Sequence, residues 1–262
     1  MEKLRVAALQ LQVQWHNPAA NRSRIVELFS HFDSSADLIL LPEMFTTGFS
    51  MAASELAETM DGETVIWMKD FARERNALVG GSIIIRENGQ FYNRFVLVNE
   101  KDIVFTYDKR HLFRMSGEHE TYIQGQTQGF CQIKGWKVAI QICYDLRFPV
   151  WSRNRKNEAG FDYDLLINVA SWPAVRIRHW DTLLKARAID NQAYVIGLNR
   201  VGEDGGGVNH VGSSAILDPL GDPLAHHVGD ETILYAELDY EQMATYREKF
   251  PIWKDADEFS LE

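Results

Sequence analysis

The chain has 262 residues, of which 45% are hydrophobic and 24% charged, and its formal net charge is −10. These values are ordinary for a globular protein and exclude the disordered and fibrous classes. The acidic balance argues against nucleic acid or an anionic membrane as the main partner, and no apolar run is long enough to predict a transmembrane span.

Short apolar runs alternate with longer amphipathic stretches along the whole chain, without a linker or a low-complexity segment. This alternation predicts an α/β fold in one domain, residues 1–262, with helices covering the sheet faces. The hairpin around residues 100–102 favours mixed strand pairing, although the sequence does not separate one sheet from two. Strands are predicted over 4–13, 37–41, 77–85, 91–99, 103–107, 136–142, 164–169, 193–199, 211–217 and 232–238, and helices from 18, over 63–76, 148–156 and 178–191, and from 240.

Cys143 is the strongest candidate for a nucleophile. It follows the predicted strand 136–142 and precedes a turn that leads into a predicted helix, whose amides would favour a thiolate. The alternative is a buried structural thiol, the interpretation that we keep for Cys131. Two cysteines are too few for a disulfide framework, and reduced thiols indicate a cytoplasmic protein.

Glu43 and Lys109 also come directly after apolar strands. Each alone is explained better as a solvated loop residue. Together with Cys143 they place a carboxylate, an ammonium and a thiol at three strand exits, where ligands collect in α/β sheets. A thiolate attacks a carbonyl, a carboxylate transfers protons and an ammonium stabilises an oxyanion, so the set predicts acyl transfer.

The other polar clusters in the sequence are weaker candidates for a functional site. Residues 109–128 form a long polar passage, and loops of that length are usually functional. Its Glu118, His119 and Glu120 are adjacent, and neighbouring loop residues rarely converge on one ion, so no metal site is predicted. The pair at 226–227 (HH) is interpreted as part of a surface strand, and residues 205–207 (GGG) as a flexible turn.

Three segments resemble the catalytic blocks of the nitrilase (carbon–nitrogen hydrolase) superfamily: residues 41–45 (LPEMF), 107–113 (YDKRHLF) and 142–149 (ICYDLRFP). The resemblance implies that Glu43 is the general base, Lys109 the oxyanion-stabilising lysine and Cys143 the nucleophile. It also implies a second glutamate in the loop after the lysine. Glu118 fits the expected offset to a following glycine, and Glu120 is the competing assignment.

The resemblance implies an αββα four-layer sandwich that forms a homodimer or a higher homo-oligomer and uses neither a metal nor an organic cofactor. Residues 45–50, 117–120, 143–151 and 170–173 are similar to the bacterial omega-amidase branch. That branch implies hydrolysis of the terminal amide of 2-oxoglutaramate or 2-oxosuccinamate to the 2-oxo acid and ammonia.

Three residues are candidates for binding the substrate. The backbone N–H of Tyr144 would assist Lys109 at the oxyanion, and Trp172 would line the aliphatic middle of the substrate. Arg147, four residues after Cys143, is suited to bidentate capture of a carboxylate, unless it pairs structurally with Asp145 or a nearby glutamate. The remaining alternatives are a nitrilase, a carbamoylase or a general aliphatic amidase, and a non-catalytic redox-sensitive protein.

Overall fold

A computed structural model describes residues 2–260; Met1, Leu261 and Glu262, at the ends of the predicted domain, lie outside the described residues. The helices are α1 (Pro18–Ser30), α2 (Ala53–Leu56), α3 (Glu63–Arg75), α4 (Glu118–Thr121), α5 (Ile177–Asn191) and α6 (Tyr240–Lys249). The strands are β1 (Leu4–Gln10), β2 (Leu38–Leu40), β3 (Leu78–Glu87), β4 (Gln90–Val98), β5 (Ile103–Asp108), β6 (Gly129–Ile133), β7 (Trp136–Ile142), β8 (Lys156–Asn157), β9 (Gly160–Phe161), β10 (Leu165–Ala170), β11 (Tyr194–Asn199), β12 (Val201–Glu203), β13 (Asn209–Leu217), β14 (Pro223–Val228) and β15 (Thr232–Leu238).

Two mixed sheets stack face to face. The first has the strand order β15-β1-β2-β3-β4-β5, and the second has the order β12-β13-β11-β10-β7-β6, with β14 paired to β13. Parallel pairs (β1 with β2 and β2 with β3; β7 with β10 and β10 with β11) form the centre of each sheet. The predicted mixed pairing is therefore confirmed.

Apolar side chains fill three interfaces. Between the sheets, buried residues from both inner faces interdigitate, Phe95 and Ile167 among them. Helices α1 and α3 bury Phe29 and Phe71 against the outer face of the first sheet, while α5 buries Trp180 against the second. These interfaces make the four-layer αββα sandwich, and the predicted fold class is confirmed.

Local sequence explains where several elements begin and end. Helix α1 begins at Pro18, and the side chain of Asn17 accepts a hydrogen bond from the N–H of Ala20, as an N-cap does. Strand β1 ends at Gln10 rather than at residue 13. The turn at 205–207 is present, and the histidines at 226–227 lie in strand β14. No helix within residues 2–260 is long and apolar enough to cross a membrane.

The helix predicted over residues 148–156 is wrong. Cys143–Arg147 form a short 3-10 turn, Phe148 is extended with φ −107° and ψ 92°, and the chain continues into the β8–β9 hairpin. Pro149 is the physical reason, because a proline disfavours the helical conformation of the residue before it. The polar passage 109–128 is also more ordered than predicted, since it contains a 3-10 turn at Arg114–Ser116 and helix α4.

Candidate active site

The carboxyl ends of strands β2, β5, β7 and β10 meet at one edge of the sandwich. Glu43 follows β2, Lys109 follows β5, Cys143 follows β7 and Ser171 follows β10. All four residues line one cavity of about 510 Å³. The structure therefore brings together the three strand-exit residues singled out in the sequence.

Lys109 is buried between two carboxylates. Its Nζ lies 2.9 Å from Glu43 Oε1 and 2.9 Å from both carboxylate oxygens of Glu118. Burial disfavours the charged ammonium, but the two carboxylates outweigh it and raise the pKa of Lys109 above its usual value. Lys109 is therefore a permanent cation, and its three N–H donors face three carboxylate oxygens.

Glu43 accepts hydrogen bonds on both oxygens. Oε1 accepts from Lys109 and, at 2.8 Å, from Asn93 Nδ2, while Oε2 accepts from the backbone N–H of Ser171 at 2.8 Å. Because every partner is a donor, this arrangement fits an ionised carboxylate that is held in one orientation. Such a group can remove a proton from a neighbouring thiol.

Glu118 and Glu120 lie in different environments. Glu118 is buried, and besides Lys109 its oxygens accept from the N–H of Phe113 at 2.5 Å and from Asn93 Nδ2 at 3.2 Å. Burial raises the pKa of Glu118, Lys109 lowers it, and the nearby charge of Glu43 raises it further, with a net increase. The side chain of Glu120 is 77% exposed. The geometry therefore places Glu118, and not Glu120, against the lysine.

The conformation of Cys143 is unusual for a residue that is not glycine. Its φ is +46°, in the left-handed region, which costs about 1–2 kcal/mol for a residue with a Cβ. Strain of this kind is common at functional sites, where a sharp turn presents a side chain above a strand end. The N–H of Tyr144 follows in the second position of the 3-10 turn, where helical N–H groups have no intrahelical acceptor.

The expectation that helix amides would favour a Cys143 thiolate is wrong. Only a 3-10 turn follows the residue, and burial, reinforced by repulsion from Glu43, raises the pKa of the thiol well above its usual value. The charge of Lys109 and the backbone N–H of Ser171 act in the opposite direction without reversing the shift. A thiol with a raised pKa needs a base to remove its proton before it can act as a nucleophile.

Asp145 was not identified as a site residue from the sequence, yet it joins the two catalytic loops. It is fully buried, and it accepts hydrogen bonds from the N–H of Ile142 at 3.0 Å, from the hydroxyl of Tyr107 at 2.8 Å and from the N–H of His111 at 2.9 Å. The alternative of an Arg147–Asp145 pair is wrong, because the Asp145 oxygens are directed to these donors.

Asn93 is the second residue that sequence reasoning missed. It donates to both active-site glutamates, and its own Oδ1 accepts from Ser82 Oγ at 2.8 Å. The sequence signal was weak, because Asn93 shares its strand with the polar Gln90 and Arg94, and only burial shows that its side chain needs partners. Gly125 closes the loop that follows Lys109. The backbone approaches Asp108 so closely there that a Cβ on residue 125 would lie 2.1 Å from the Asp108 carbonyl oxygen, so only glycine fits.

The candidate substrate-binding residues line the outer part of the cavity. Tyr144, Arg147 and Trp172 all contribute to its wall. The guanidinium carbon of Arg147 lies 4.7 Å from the centre of the Trp172 ring, and Arg147 Nη2 lies 3.1 Å from His179 Nδ1. No group of three or more His, Cys, Asp or Glu side chains within residues 2–260 is arranged to hold a metal ion.

Comparison with known proteins agrees with this geometry. The carbon-nitrogen hydrolase family matches residues 5–248. The chain is 45% identical to the omega-amidase YafV of Escherichia coli, covering 100% of both chains, and 33% identical to the 2-oxoglutaramate amidase of Bacillus subtilis, covering 97% of both.

Solved structures give the same result. A CN-hydrolase superfamily protein of Xanthomonas campestris, which carries an arsenic adduct in its active site, superposes with a TM-score of 0.96 at 39% identity and 100% coverage of both chains. Nit3 of Saccharomyces cerevisiae, from branch 10 of the nitrilase superfamily, superposes with a TM-score of 0.82 at 26% identity, covering 96% of this chain and 95% of Nit3. The chain therefore belongs to the carbon–nitrogen hydrolase family of the nitrilase superfamily, is a hydrolase of carbon–nitrogen bonds, and groups with the amidases of that family.

Proposed function

We propose that the protein is an omega-amidase, which hydrolyses the terminal amide of a small 2-oxo dicarboxylic acid monoamide, such as 2-oxoglutaramate or 2-oxosuccinamate. The observation that carries the proposal is the contact of Lys109 with Glu43 and Glu118 in the cavity that also holds the Cys143 thiol. Full-length similarity to omega-amidases and to a 2-oxoglutaramate amidase supports the substrate class.

The first half of the reaction forms a thioester. Glu43 takes the proton of Cys143 as the sulfur attacks the amide carbon, which turns the carbonyl oxygen into an oxyanion. The ammonium of Lys109 and the backbone N–H of Tyr144 hold that oxyanion. Glu43 then returns the proton to the leaving nitrogen, and ammonia departs as the C–N bond breaks.

The second half hydrolyses the thioester. Glu43 takes a proton from a water molecule that attacks the acyl carbon, and the tetrahedral intermediate releases the sulfur, which regains its proton from Glu43. Glu118 touches neither the thiol nor the water in this scheme. It holds the Lys109 ammonium in place and offsets its charge.

Arg147 is the residue that we assign to the substrate carboxylate. It lines the cavity, stacks on Trp172 and has no carboxylate partner in the described part of the chain. A planar guanidinium binds a carboxylate through two parallel hydrogen bonds. The amide and the carboxylate of the substrate would then occupy opposite ends of the cavity, with the aliphatic middle beside Trp172.

We also propose that the chain is one domain, acts in the cytoplasm and forms a homodimer or a larger homo-oligomer. Two free cysteines fit a reducing compartment. Ile189 on α5 and Phe250 after α6 are exposed apolar side chains, 49% and 56% accessible, of the kind that a subunit interface would cover. Sedimentation at several protein concentrations tests the assembly, and a monomer at all of them would contradict it.

An ammonia-release screen tests the function. The substrates are 2-oxoglutaramate, succinamate, glutamine, butyramide, a nitrile and a carbamoyl compound, followed by acid quench and mass spectrometry of the enzyme. We expect the highest kcat/KM for 2-oxoglutaramate and an acyl adduct on Cys143. Cys143→Ala should be inactive, and the matched variant Cys131→Ala should stay near wild type. Preference for a nitrile or a carbamoyl compound would refute the assignment.

A further inference from the structure

Arg176 is a second guanidinium in the catalytic cavity, and the reaction described above does not use it. It lines the same cavity as Cys143, and its guanidinium carbon lies 5.3 Å from the centre of the Phe113 ring. No ion pair involves its side chain within residues 2–260. A half-buried guanidinium without a carboxylate partner keeps its charge and its N–H donors for a ligand.

Trp172 contacts both Arg176, through its backbone carbonyl, and Arg147, through its guanidinium. The indole Nε1 of Trp172 donates a hydrogen bond to the backbone carbonyl of Arg176 at 2.9 Å, which closes the segment 172–176. The same indole ring carries the Arg147 guanidinium on its face. Both cations therefore stack on aromatic rings, and stacking leaves the edges of a guanidinium available for hydrogen bonds.

Arg147 and Arg176 bring two further positive charges to the cavity, besides the ammonium of Lys109. The ammonium of Lys109 is already offset by two carboxylates. A further carboxylate of the cavity wall, Asp204, accepts the N–H groups of Gly206 and Val208 and so closes its own turn. A substrate with a single carboxylate needs one guanidinium, so the second one has donors left for another oxygen.

We propose, on the basis of the omega-amidase function above, that Arg176 determines specificity by binding the 2-oxo oxygen beside the substrate carboxylate. A 2-oxo carboxylate presents three coplanar acceptor oxygens. The fork of Arg147 binds the two carboxylate oxygens, and Arg176 donates to the keto oxygen.

The same pair of cations disfavours substrates that carry a 2-ammonium group. Glutamine has the same skeleton as 2-oxoglutaramate, with an ammonium in place of the keto oxygen. Two neighbouring guanidinium groups repel that ammonium. Because glutamine has no keto oxygen, one guanidinium also has N–H donors without an acceptor. Arg176 therefore separates the 2-oxo acid from the amino acid of equal length.

The test compares kcat/KM for 2-oxoglutaramate, glutaramate, glutamine and butyramide in wild type, Arg176→Met and Arg176→Lys. Glutaramate keeps the carboxylate and lacks the keto oxygen. In Arg176→Met we expect a loss of about 10- to 100-fold for 2-oxoglutaramate, less than about 3-fold for glutaramate, and a gain for glutamine relative to 2-oxoglutaramate. Arg176→Lys should lose 2-oxoglutaramate activity, because lysine lacks the planar guanidinium donors. It should still exclude glutamine, because lysine keeps the positive charge.

Arg178→Met, at an exposed position two residues further along α5, is the matched control and should leave all four rates unchanged. Equal loss for 2-oxoglutaramate and glutaramate in Arg176→Met, at an unchanged melting temperature, would overturn the assignment of the keto oxygen to Arg176. If wild type instead hydrolysed butyramide best and neither carboxylate-bearing amide, the proposed function itself would fail, independently of Arg176.

Discussion

The carboxylate of Asp145 accepts a hydrogen bond from the backbone N–H of His111 at 2.9 Å, across two different sheets. Asp145 lies in the turn after Cys143, and His111 lies in the loop after Lys109. One shared buried carboxylate therefore connects the segments that carry Cys143 and Lys109, the nucleophile and the oxyanion lysine of the proposed reaction. Since the two catalytic groups must act on the same carbonyl, their relative placement depends on this link.

Replacing Asp145 tests the link. Asp145→Asn puts an amide donor where N–H and O–H donors already converge, so we expect the free energy of unfolding to fall by about 3 kcal/mol and kcat/KM to fall by more than about 10-fold. Urea denaturation and steady-state kinetics measure both. Asp70→Asn, at a surface pair with Arg73, should change stability by less than about 0.5 kcal/mol. An Asp145→Asn enzyme with wild-type kinetics would show that the link does not position the site.

Glu118 and Glu120 provide a matched pair of variants on the same short helix. Glu118→Gln turns one of the two buried oxygens that face Lys109 into a donor, so kcat should fall by about 100-fold or more, and the melting temperature should fall for the same reason as in Asp145→Asn. Glu120→Gln should stay within about 2-fold of wild type, because its side chain is exposed. The reverse ranking would assign the second active-site glutamate to Glu120.

The resting thiol should be neutral at physiological pH. Burial and the negative charge of Glu43 raise the pKa of Cys143, so its thiolate forms only above the usual thiol range. In a Cys131→Ala background, the ultraviolet absorbance of thiolate should therefore stay absent up to about pH 9. The additional change Glu43→Gln removes the repulsion and should move the titration to lower pH.

The double variant Cys131→Ala/Cys143→Ala supplies the blank for that titration. It is needed because tyrosines absorb in the same region, while Cys131, whose pKa burial raises to about 12, is absent from both variants. A thiolate at neutral pH in the single variant would mean that Cys143 is activated before substrate binds. Glu43 would then not be required to remove its proton.

Much of this site could be predicted from the sequence, because strand exits are visible as apolar runs followed by polar residues. Strand β7 (Trp136–Ile142) matches its prediction residue for residue, and it delivers Cys143 to the sheet edge. The helix predicted after Cys143 failed because hydrophobic spacing was given more weight than Pro149. The predicted α-helix also implied that its amides would favour the Cys143 thiolate, whereas the pKa of this thiol is raised.

Long-range partners were not predictable in the same way. The N–H of Ser171 contacts Glu43 across 128 positions of the chain, and backbone donors carry no sequence signal. Asn93 lies next to Arg94 in its strand, and nothing local indicates that Asn93 faces two glutamates. Arg176 lies on a turn, where a charged residue is ordinarily solvated, and only the cavity shows its role.

In the proposed function the choice of substrate rests on Arg147, whose guanidinium stacks on Trp172 and lines the cavity without a carboxylate partner within residues 2–260. Arg147→Met keeps the length and the apolar stem of the side chain but removes the guanidinium. For 2-oxoglutaramate and succinamate, kcat/KM should therefore fall by a factor that corresponds to about 2–3 kcal/mol, mainly because KM rises. Butyramide lacks the carboxylate and should be hydrolysed at nearly the wild-type rate. Ammonia release over a range of each substrate measures the split between KM and kcat. Proportional losses for charged and uncharged amides would show that Arg147 supports the fold of the cavity, and that the carboxylate is bound elsewhere.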